Sequence, residues 1–152
     1  MKIVFFKMVL MMMFTQIVNA QVNNPVKWTH RAVKISDRTY ELHLTASIDG
    51  NWHIYAQDAG IGPPPTTISF KKNPLVSLEG KVQEVGKLEK INEKEFNWVS
   101  KYYRKKVDFV QRIKVKSSVA TVSTGTINFA VCDNKQCLPP KDVQFSINVG
   151  GK

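Results

Sequence analysis

A two-residue alternation of apolar and polar side chains is the feature that most limits what this chain can fold into. Residues 40–48 read YELHLTASI, with an apolar or aromatic residue at every even position and a polar one at every odd position. Such a period buries one face of a β-strand and leaves the other face in water. We find no long segment with the 3.6-residue apolar period that is typical of an amphipathic helix.

Three later segments repeat this alternation. They are residues 107–115, where Gln111 interrupts the apolar face, residues 127–131 and residues 143–149. Turn-forming residues fall between the strand-like runs: Asp49-Gly50-Asn51, the Gly-Pro run 62–65, Asn73-Pro74, Gly80, Gly86 and Gly125. Short strands at fairly even spacing with many turns predict an all-β sandwich.

The segment 1–20 has the layout of a secretory signal peptide. Lys2 and Lys7 supply positive charge, residues 8–14 are an unbroken apolar run, and Val18 and Ala20 are small residues before a cleavage point. A membrane anchor is the alternative, but the apolar run is shorter than the roughly 20 residues that a span requires. We therefore expect residues 21–152 to form a single exported domain with no integral membrane segment.

Export would place the cysteines in a compartment where disulfides persist. A domain of this size buries a real core without help from a disulfide. The whole chain carries a formal net charge of +10. That charge is compatible with an acidic partner or an anionic membrane surface, but we favour the simpler interpretation of solubility and lysine-rich strand edges.

Cys132 and Cys137 are the only cysteines, and they lie in the segment AVCDNKQCLPP between two strand-like runs. A hairpin here would bring their Cα atoms near the separation of about 4.4–6.8 Å that a disulfide requires. Closing so short a ring stabilises a fold by only about 2 kcal/mol, against about 4.7 kcal/mol for a loop of about a hundred residues. The small gain favours a redox role, and a structural staple stays open.

Two other uses of the cysteines are disfavoured. Zinc requires four protein ligands, or three and a water, and the only histidines, His30, His43 and His53, show no ligand spacing. A thioredoxin-type enzyme would carry Cys-x-x-Cys followed by a helix. We expect no metal and no cofactor. A cysteine pair without activation still exchanges when its partner supplies the attacking thiolate, which fits a redox relay module.

Three blocks resemble the N-terminal periplasmic domain of the DsbD-type thiol:disulfide interchange protein, the disulfide bond corrector family. CDNKQCLPP resembles the family's cysteine loop, in which the second cysteine is followed by one residue and then Pro-Pro. Residues 50–70, GNWHIYAQDAGIGPPPTTISF, resemble its Trp-His-x-Tyr run and Gly-Pro-rich turn. Residues 95–113, EFNWVSKYYRKKVDFVQRI, resemble its cap loop and the strand that follows.

The resemblance implies an immunoglobulin-like β-sandwich in the periplasm whose cysteines cycle between disulfide and dithiol. Electrons would arrive from a membrane electron-donor protein through a thioredoxin-like domain and pass to exported thiol or disulfide proteins. By matching position, Cys137 would form the mixed disulfide with the partner and Cys132 would resolve it. Phe96 and Glu95 match the cap that shields the cysteines, and Tyr55 matches an aromatic residue beside the site.

The sequence also differs from the family pattern. The cysteines are one residue closer together than in the form compared, and Lys94 stands where a further acidic residue is expected. The usual parent protein continues into a membrane domain and a thioredoxin-like domain. For this chain, we expect those parts to be separate proteins.

Two alternative functions differ in kind from a relay. An exported β-sandwich could bind protein or peptide and keep a fixed structural disulfide, in which case the pair would not exchange readily with a thioredoxin-like dithiol. Residues 101–109, KYYRKKVDF, combine basic charge with aromatic rings, as a surface for single-stranded nucleic acid does. Export and strand alternation favour an ordinary solvated strand edge there, so we expect no nucleic-acid partner.

Overall fold

The computed structural model describes residues 24–62, 64–93 and 98–151, and all regular structure in them is β. The strands are β1 (Val26–Ser36), β2 (Thr39–Ile48), β3 (His53–Tyr55), β4 (Thr67–Phe70), β5 (Val76–Glu93), β6 (Trp98–Val115), β7 (Thr121–Cys132) and β8 (Cys137–Val149). The segment predicted to be a signal peptide lies outside the described residues. None of the described segments forms a helix long and apolar enough to cross a membrane.

All eight strands join one hydrogen-bonded sheet. Its order is β1-β2-β6-β3-β7-β4, with β5 also paired to β6 and β8 also paired to β7. Within the described chain, β3 is therefore the only strand that hydrogen-bonds the β1-β2-β5-β6 part to the β4-β7-β8 part. Strand β6 changes partners along its length, pairing with β3 near its start and with β2 after Lys105. Lys105 has a positive φ of 63°, a local kink at the change of partner.

The sheet curls so that its two parts share one core. The core combines apolar side chains of β2 and β6 with those of β7 and β8, among them Leu44, Phe109, Phe129 and Phe145. Trp28 of β1 lies between the parts, with its ring 5.8 Å from Phe109 and 5.3 Å from Phe129. Burial of such large apolar side chains is the main stabilising term in a fold of this kind. The predicted all-β, immunoglobulin-like sandwich is confirmed.

The alternating segments of the sequence all lie in strands. Residues 40–48 belong to β2, 107–115 to β6, 127–131 to β7 and 143–149 to β8. Gln111 interrupts the apolar alternation, but its side chain is nonetheless buried on the core face of β6, with an exposed fraction of 2%. Its amide donates hydrogen bonds to the carbonyl oxygens of Glu79 and Arg112, at 2.9 and 2.7 Å. A polar residue is tolerated there because both bonds satisfy it.

Three glycines predicted to lie in turns are instead inside strands. Gly80 and Gly86 lie within β5, next to the places where the pairing of β5 with β6 shifts register. Such β-bulges often contain glycine, which explains why the sequence resembles a turn there. Gly125 lies in the middle of β7, paired with Phe70 and Phe145.

Gly125 is required by close packing. A Cβ atom at this position would lie 2.1 Å from the carbonyl oxygen of Ser69 and 2.4 Å from the ring of Phe145. We predict that Gly125→Ala lowers the free energy of unfolding by about 3 kcal/mol, because the neighbouring strand must move away. Chemical denaturation measures this change.

Gly50→Ala is the matched control. Gly50 has φ of +56° with nothing within 4 Å of an added Cβ, so this variant meets conformational strain but no clash. The left-handed conformation of a non-glycine residue costs about 1–2 kcal/mol. A loss for Gly125→Ala no larger than that for Gly50→Ala would contradict the packing argument.

Candidate functional site

The two cysteines form a disulfide across the ends of two paired strands. Cys132 is the last residue of β7, Cys137 is the first of β8, and the two are direct partners in the sheet. Their Sγ atoms are 2.03 Å apart and their Cα atoms 4.0 Å apart. The hairpin predicted around these residues is present, with a Cα separation somewhat below the expected range.

The loop between the cysteines is held by its own polar groups. The Oδ1 atom of Asp133 accepts hydrogen bonds from the backbone N–H groups of Lys135 and Gln136, at 2.7 and 2.8 Å. The backbone N–H of Asp133 in turn donates to the carbonyl oxygen of Gln136 at 2.9 Å. An aspartate that binds the backbone two residues on is a frequent way of closing a turn. These bonds are independent of the sulfur atoms, so the loop has a reason to keep its shape when the disulfide opens.

The two sulfur-bearing residues differ in accessibility. Cys132 is 2% exposed, whereas Cys137 belongs to the exposed residues of the loop. Thiol–disulfide exchange depends on which sulfur an attacking thiolate can reach. The geometry therefore favours attack at Cys137, with Cys132 as the leaving sulfur.

Four residues on four neighbouring strands form a row through the disulfide. Arg104 of β6 pairs with His53 of β3, His53 pairs with Cys132, and Cys132 pairs with Cys137. Directly paired residues place their side chains on the same face of a sheet. The next residues along three of these strands, Tyr103, Ile54 and Val131, belong to the main core. Since side chains alternate along a strand, the row lies on the opposite face.

That opposite face is buried locally. Tyr102 and Ala130 are buried on that face but do not belong to the main core cluster, and the same is true of Cys132. His53 is only 6% exposed. The first part of β6, the end of β7 and β3 between them thus carry a second, smaller group of buried side chains that includes Cys132.

The ring of His53 lies inside this group. It is 4.7 Å from the ring of Tyr102 and 5.3 Å from that of Tyr55, measured between centroids. Its Nδ1 atom is buried and has no hydrogen-bond partner among the described residues. Burial is the main cause that lowers the pKa of His53, and the charge of Arg104 lowers it further, while Asp133 and Glu89 oppose these effects. The imidazole is therefore held neutral near neutral pH.

Arg104 connects the row to the surrounding loops. Its guanidinium lies 5.3 Å from the ring centroid of Tyr102 and donates to the carbonyl oxygen of Asn51 at 3.1 Å. It also reaches Oδ1 of Asn134 in the cysteine loop at 3.5 Å and Oε2 of Glu89 at 3.6 Å. One cation thus bridges β5, the β2–β3 turn and the cysteine loop.

The site residues predicted from the sequence divide into two groups. Cys132, Cys137 and Tyr55 are described, and Tyr55 lies two residues from His53 on the same face of β3. Phe96 and Glu95 lie outside the described residues, so their role as a cap stays a prediction. The sequence analysis missed His53, Tyr102 and Arg104. The Trp-His-x-Tyr run was noticed, but nothing in it indicates that its histidine pairs with Cys132.

Within residues 24–62, 64–93 and 98–151, no group of three or more His, Cys, Asp or Glu side chains could hold a metal ion. A separate polar group, formed by three side chains, lies on β2 and β6. There His43 Nδ1 lies 2.6 Å from Oδ2 of Asp108, and the hydroxyl of Thr45 donates to Oδ1 at 2.9 Å.

The family model described as the N-terminal part of the thiol:disulfide interchange protein DsbD matches residues 23–148. A search of curated proteins finds no match. Among solved structures, the N-terminal periplasmic domain of ScsB from Proteus mirabilis is similar in fold, with 19% identity and a TM-score of 0.51. That similarity covers 82% of this chain and 44% of the ScsB chain, so this chain spans less than half the length of that relative.

Two structures from Neisseria meningitidis are also similar. The reduced DsbD N-terminal domain has 14% identity and a TM-score of 0.49, over 82% of this chain and 86% of its own. The complex between the DsbD and PilB N-terminal domains matches with 12% identity and a TM-score of 0.47, over 84% of this chain and 88% of the other.

Substitution of Asp133 tests whether its side-chain hydrogen bonds hold the cysteine loop in shape. The two backbone hydrogen bonds that it accepts are the main cause of its lowered pKa. We predict that Asp133→Ala speeds amide hydrogen exchange at Lys135 and Gln136, measured by NMR as protection factors, while leaving the core amides unchanged. Asp133→Asn is the control, because an amide oxygen still accepts both bonds.

The same bonds predict a dependence on pH. A carboxylate with a lowered pKa contributes order above its ordinary pKa of about 3.9 and loses it as the pH falls through the lowered value. Protection at Lys135 and Gln136 should therefore be complete above about pH 4 and decline below it. Unchanged protection in Asp133→Ala would show that other contacts hold the loop.

Proposed function

The chain belongs to the family of the N-terminal domain of the thiol:disulfide interchange protein DsbD, and on that premise we propose that it is a thiol:disulfide interchange module. Its Cys132–Cys137 disulfide accepts two electrons from a thioredoxin-like dithiol and passes them on to exported thiol or disulfide proteins. In catalytic terms it is a component of a protein-disulfide reductase system. No cofactor is needed, because the cysteine sulfurs carry the electrons themselves.

The observation that carries this proposal is the asymmetry of the disulfide. Cys137 is exposed and Cys132 is buried. A structural staple has no need of such a difference, whereas an exchange site needs one sulfur that a partner can reach and one that it cannot. The self-contained loop around Asp133 supports the same conclusion, since the disulfide adds little that the hairpin lacks.

The exchange proceeds in two steps that balance in atoms and electrons. A partner thiolate attacks Sγ of Cys137, the Cys132–Cys137 bond breaks, and its electron pair leaves on Sγ of Cys132. The second thiol of the partner then attacks the partner's own sulfur in the mixed disulfide and releases Cys137. The partner is oxidised to a disulfide, and the two protons of its dithiol end on Cys132 and Cys137. Delivery to an acceptor runs the same steps in reverse.

The setting of this reaction is part of the proposal. We place it in the periplasm, with a membrane electron-donor protein that acts through the thioredoxin-like partner. Phe96 and Glu95 would form a cap over the disulfide that limits attack by stray thiols, and Tyr55 would line the site beneath the cap. Tyr55 is half-buried beside His53, which is compatible with that placement.

The reduction potential of the Cys132–Cys137 pair is the first test. We predict a value within the range of exchange proteins, roughly −120 to −270 mV. Equilibration in glutathione buffers, with trapping of free thiols, measures it. A potential below about −300 mV, where structural disulfides lie, would instead support an exported binding sandwich with a fixed disulfide.

Trapping of a mixed disulfide tests the roles of the two cysteines. We predict that Cys132→Ala accumulates a covalent complex with a thioredoxin-like partner, because the resolving sulfur is missing. Cys137→Ala should form none, because the remaining sulfur is buried. For this test the partner retains only its attacking cysteine, which is first converted to a mixed disulfide with an aromatic thiol. Cys137 attacks the partner's sulfur and the aromatic thiolate leaves, so the covalent complex forms without a further oxidant and is detected by non-reducing electrophoresis. The opposite pattern would reverse the two roles.

A further inference from the structure

We propose that His53 is the proton acceptor for the Cys132 thiol when Cys132 resolves the mixed disulfide on Cys137. This inference rests on the proposed exchange function and names a residue that acts in it. Neither the cysteine loop nor the cap segment contains His53. It lies on β3, about eighty positions before Cys132 in the chain.

The position of His53 in the sheet brings it to Cys132. The two residues are direct partners between β3 and β7. Side chains of directly paired residues have Cβ atoms about 4.5–5.5 Å apart on the same face, which is within reach of an imidazole ring. Cys137 pairs with Cys132 on the other side, so the base, the nucleophile and the sulfur under attack follow one another across three strands.

One ring nitrogen of His53 is buried without a hydrogen-bond partner among the described residues. Buried polar atoms are nearly always hydrogen-bonded, and an unpaired one is costly. Nδ1 of His53 is an exception among the described residues, while the disulfide is closed. Reduction of the disulfide creates a thiol S–H at Cys132, a weak donor that a neutral imidazole nitrogen can accept. The site thus contains an acceptor that gains its donor only in the dithiol state.

The surroundings of His53 favour its neutral form, which can accept a proton. Burial and Arg104 of β6 lower its pKa, and Asp133 of the cysteine loop and Glu89 of β5 raise it. Among the described residues, the aromatic rings of Tyr102 on β6 and Tyr55 on β3 itself also contact the imidazole. A base that is neutral at the working pH and close to the reacting proton has the properties of a general base.

Cys132 begins as a thiol, and Cys137 is bonded to the sulfur of a partner. The ring of His53 takes the thiol proton as Sγ of Cys132 attacks Sγ of Cys137. The Cys132–Cys137 bond forms, the bond from Cys137 to the partner breaks, and its electron pair leaves on the partner as a thiolate. The proton then passes from the imidazolium to the departing thiolate or to water.

A small aromatic disulfide whose thiolate is coloured separates this step from the others. Mixed with the fully reduced protein in a stopped-flow instrument, it reacts first with exposed Cys137 and releases one coloured thiolate. Cys132 then closes the disulfide and releases a second one. The first phase accelerates with reagent concentration, whereas the second is intramolecular and does not. Because the aromatic thiolate leaves readily, the second phase reports the ionisation of Cys132.

We expect His53→Gln to slow the second phase by about 100-fold near pH 7, the lower end of the range for general bases, and to leave the first phase unchanged. Glutamine keeps a polar amide in the site but cannot take up a proton. His30→Gln, at an exposed position of β1, is the matched control and should change neither phase. An equal second phase in His53→Gln and His30→Gln overturns the inference.

The pH profile of the unaltered protein gives an independent answer if His53→Gln fails to fold. With His53 as the base, the second phase rises through the lowered pKa of His53 and is flat above it. Without such a base it rises about tenfold per pH unit until the ordinary thiol pKa of about 8.5. A continuous rise from about pH 6.5 to 8.5 in the unaltered protein would contradict the role of His53.

The two levels of the proposal fail in different ways. If the unaltered protein does not exchange with a thioredoxin-like dithiol, the exchange function itself is wrong. If it exchanges, and His53→Gln exchanges with the same rate and the same pH profile, only the role of His53 is wrong.

Discussion

The pairing of the short strand β3 with both β6 and β7 is the constraint on which the core and the site depend. Within the described chain, this strand alone pairs with strands of both parts of the sheet, which its backbone hydrogen bonds join. They bring Ile54 into the main core and, by alternation, turn His53 to the opposite face beside Cys132. A strand of three residues contributes little stability alone, so its position is fixed by the long strands on either side.

One face of β3 packs in the main core, and the other face carries His53 beside the disulfide. The core face packs Ile54, Tyr103 and Val131 among the large apolar side chains that hold the sandwich closed. On the other face a guanidinium, an imidazole and a disulfide follow one another across the strands. The chemistry is thus supported by rigid strands, and only Cys137 faces the exposed loop. This arrangement joins a protected sulfur to an accessible one within a single hairpin.

The sequence predicted the parts of this structure whose information is local. Alternation identified β2, the second halves of β6 and β8 and a shorter part of β7, because one wet face and one dry face leave a period of two. Strands β1 and β5 were not identified, and Gly80 and Gly86 were interpreted as turns although they lie inside β5. The two cysteines were found because they are the only ones. His53 was not, because its burial and its neighbour Cys132 result from pairing between distant segments, and a register of that kind has no local signal.

The location of the disulfide outside the main core has a consequence for how such a protein can diverge. Cys132, Tyr102 and Ala130 are buried but absent from the cluster that includes Phe109 and Phe129. Substitutions of exposed loop residues such as Lys135 and Gln136 therefore leave the packing of the sandwich almost untouched, because distant sites act nearly independently on stability. Selection can then alter which partner the exposed sulfur meets without a compensating change in the interior. The core of the fold can thus stay the same while the surface around the exposed sulfur changes during evolution.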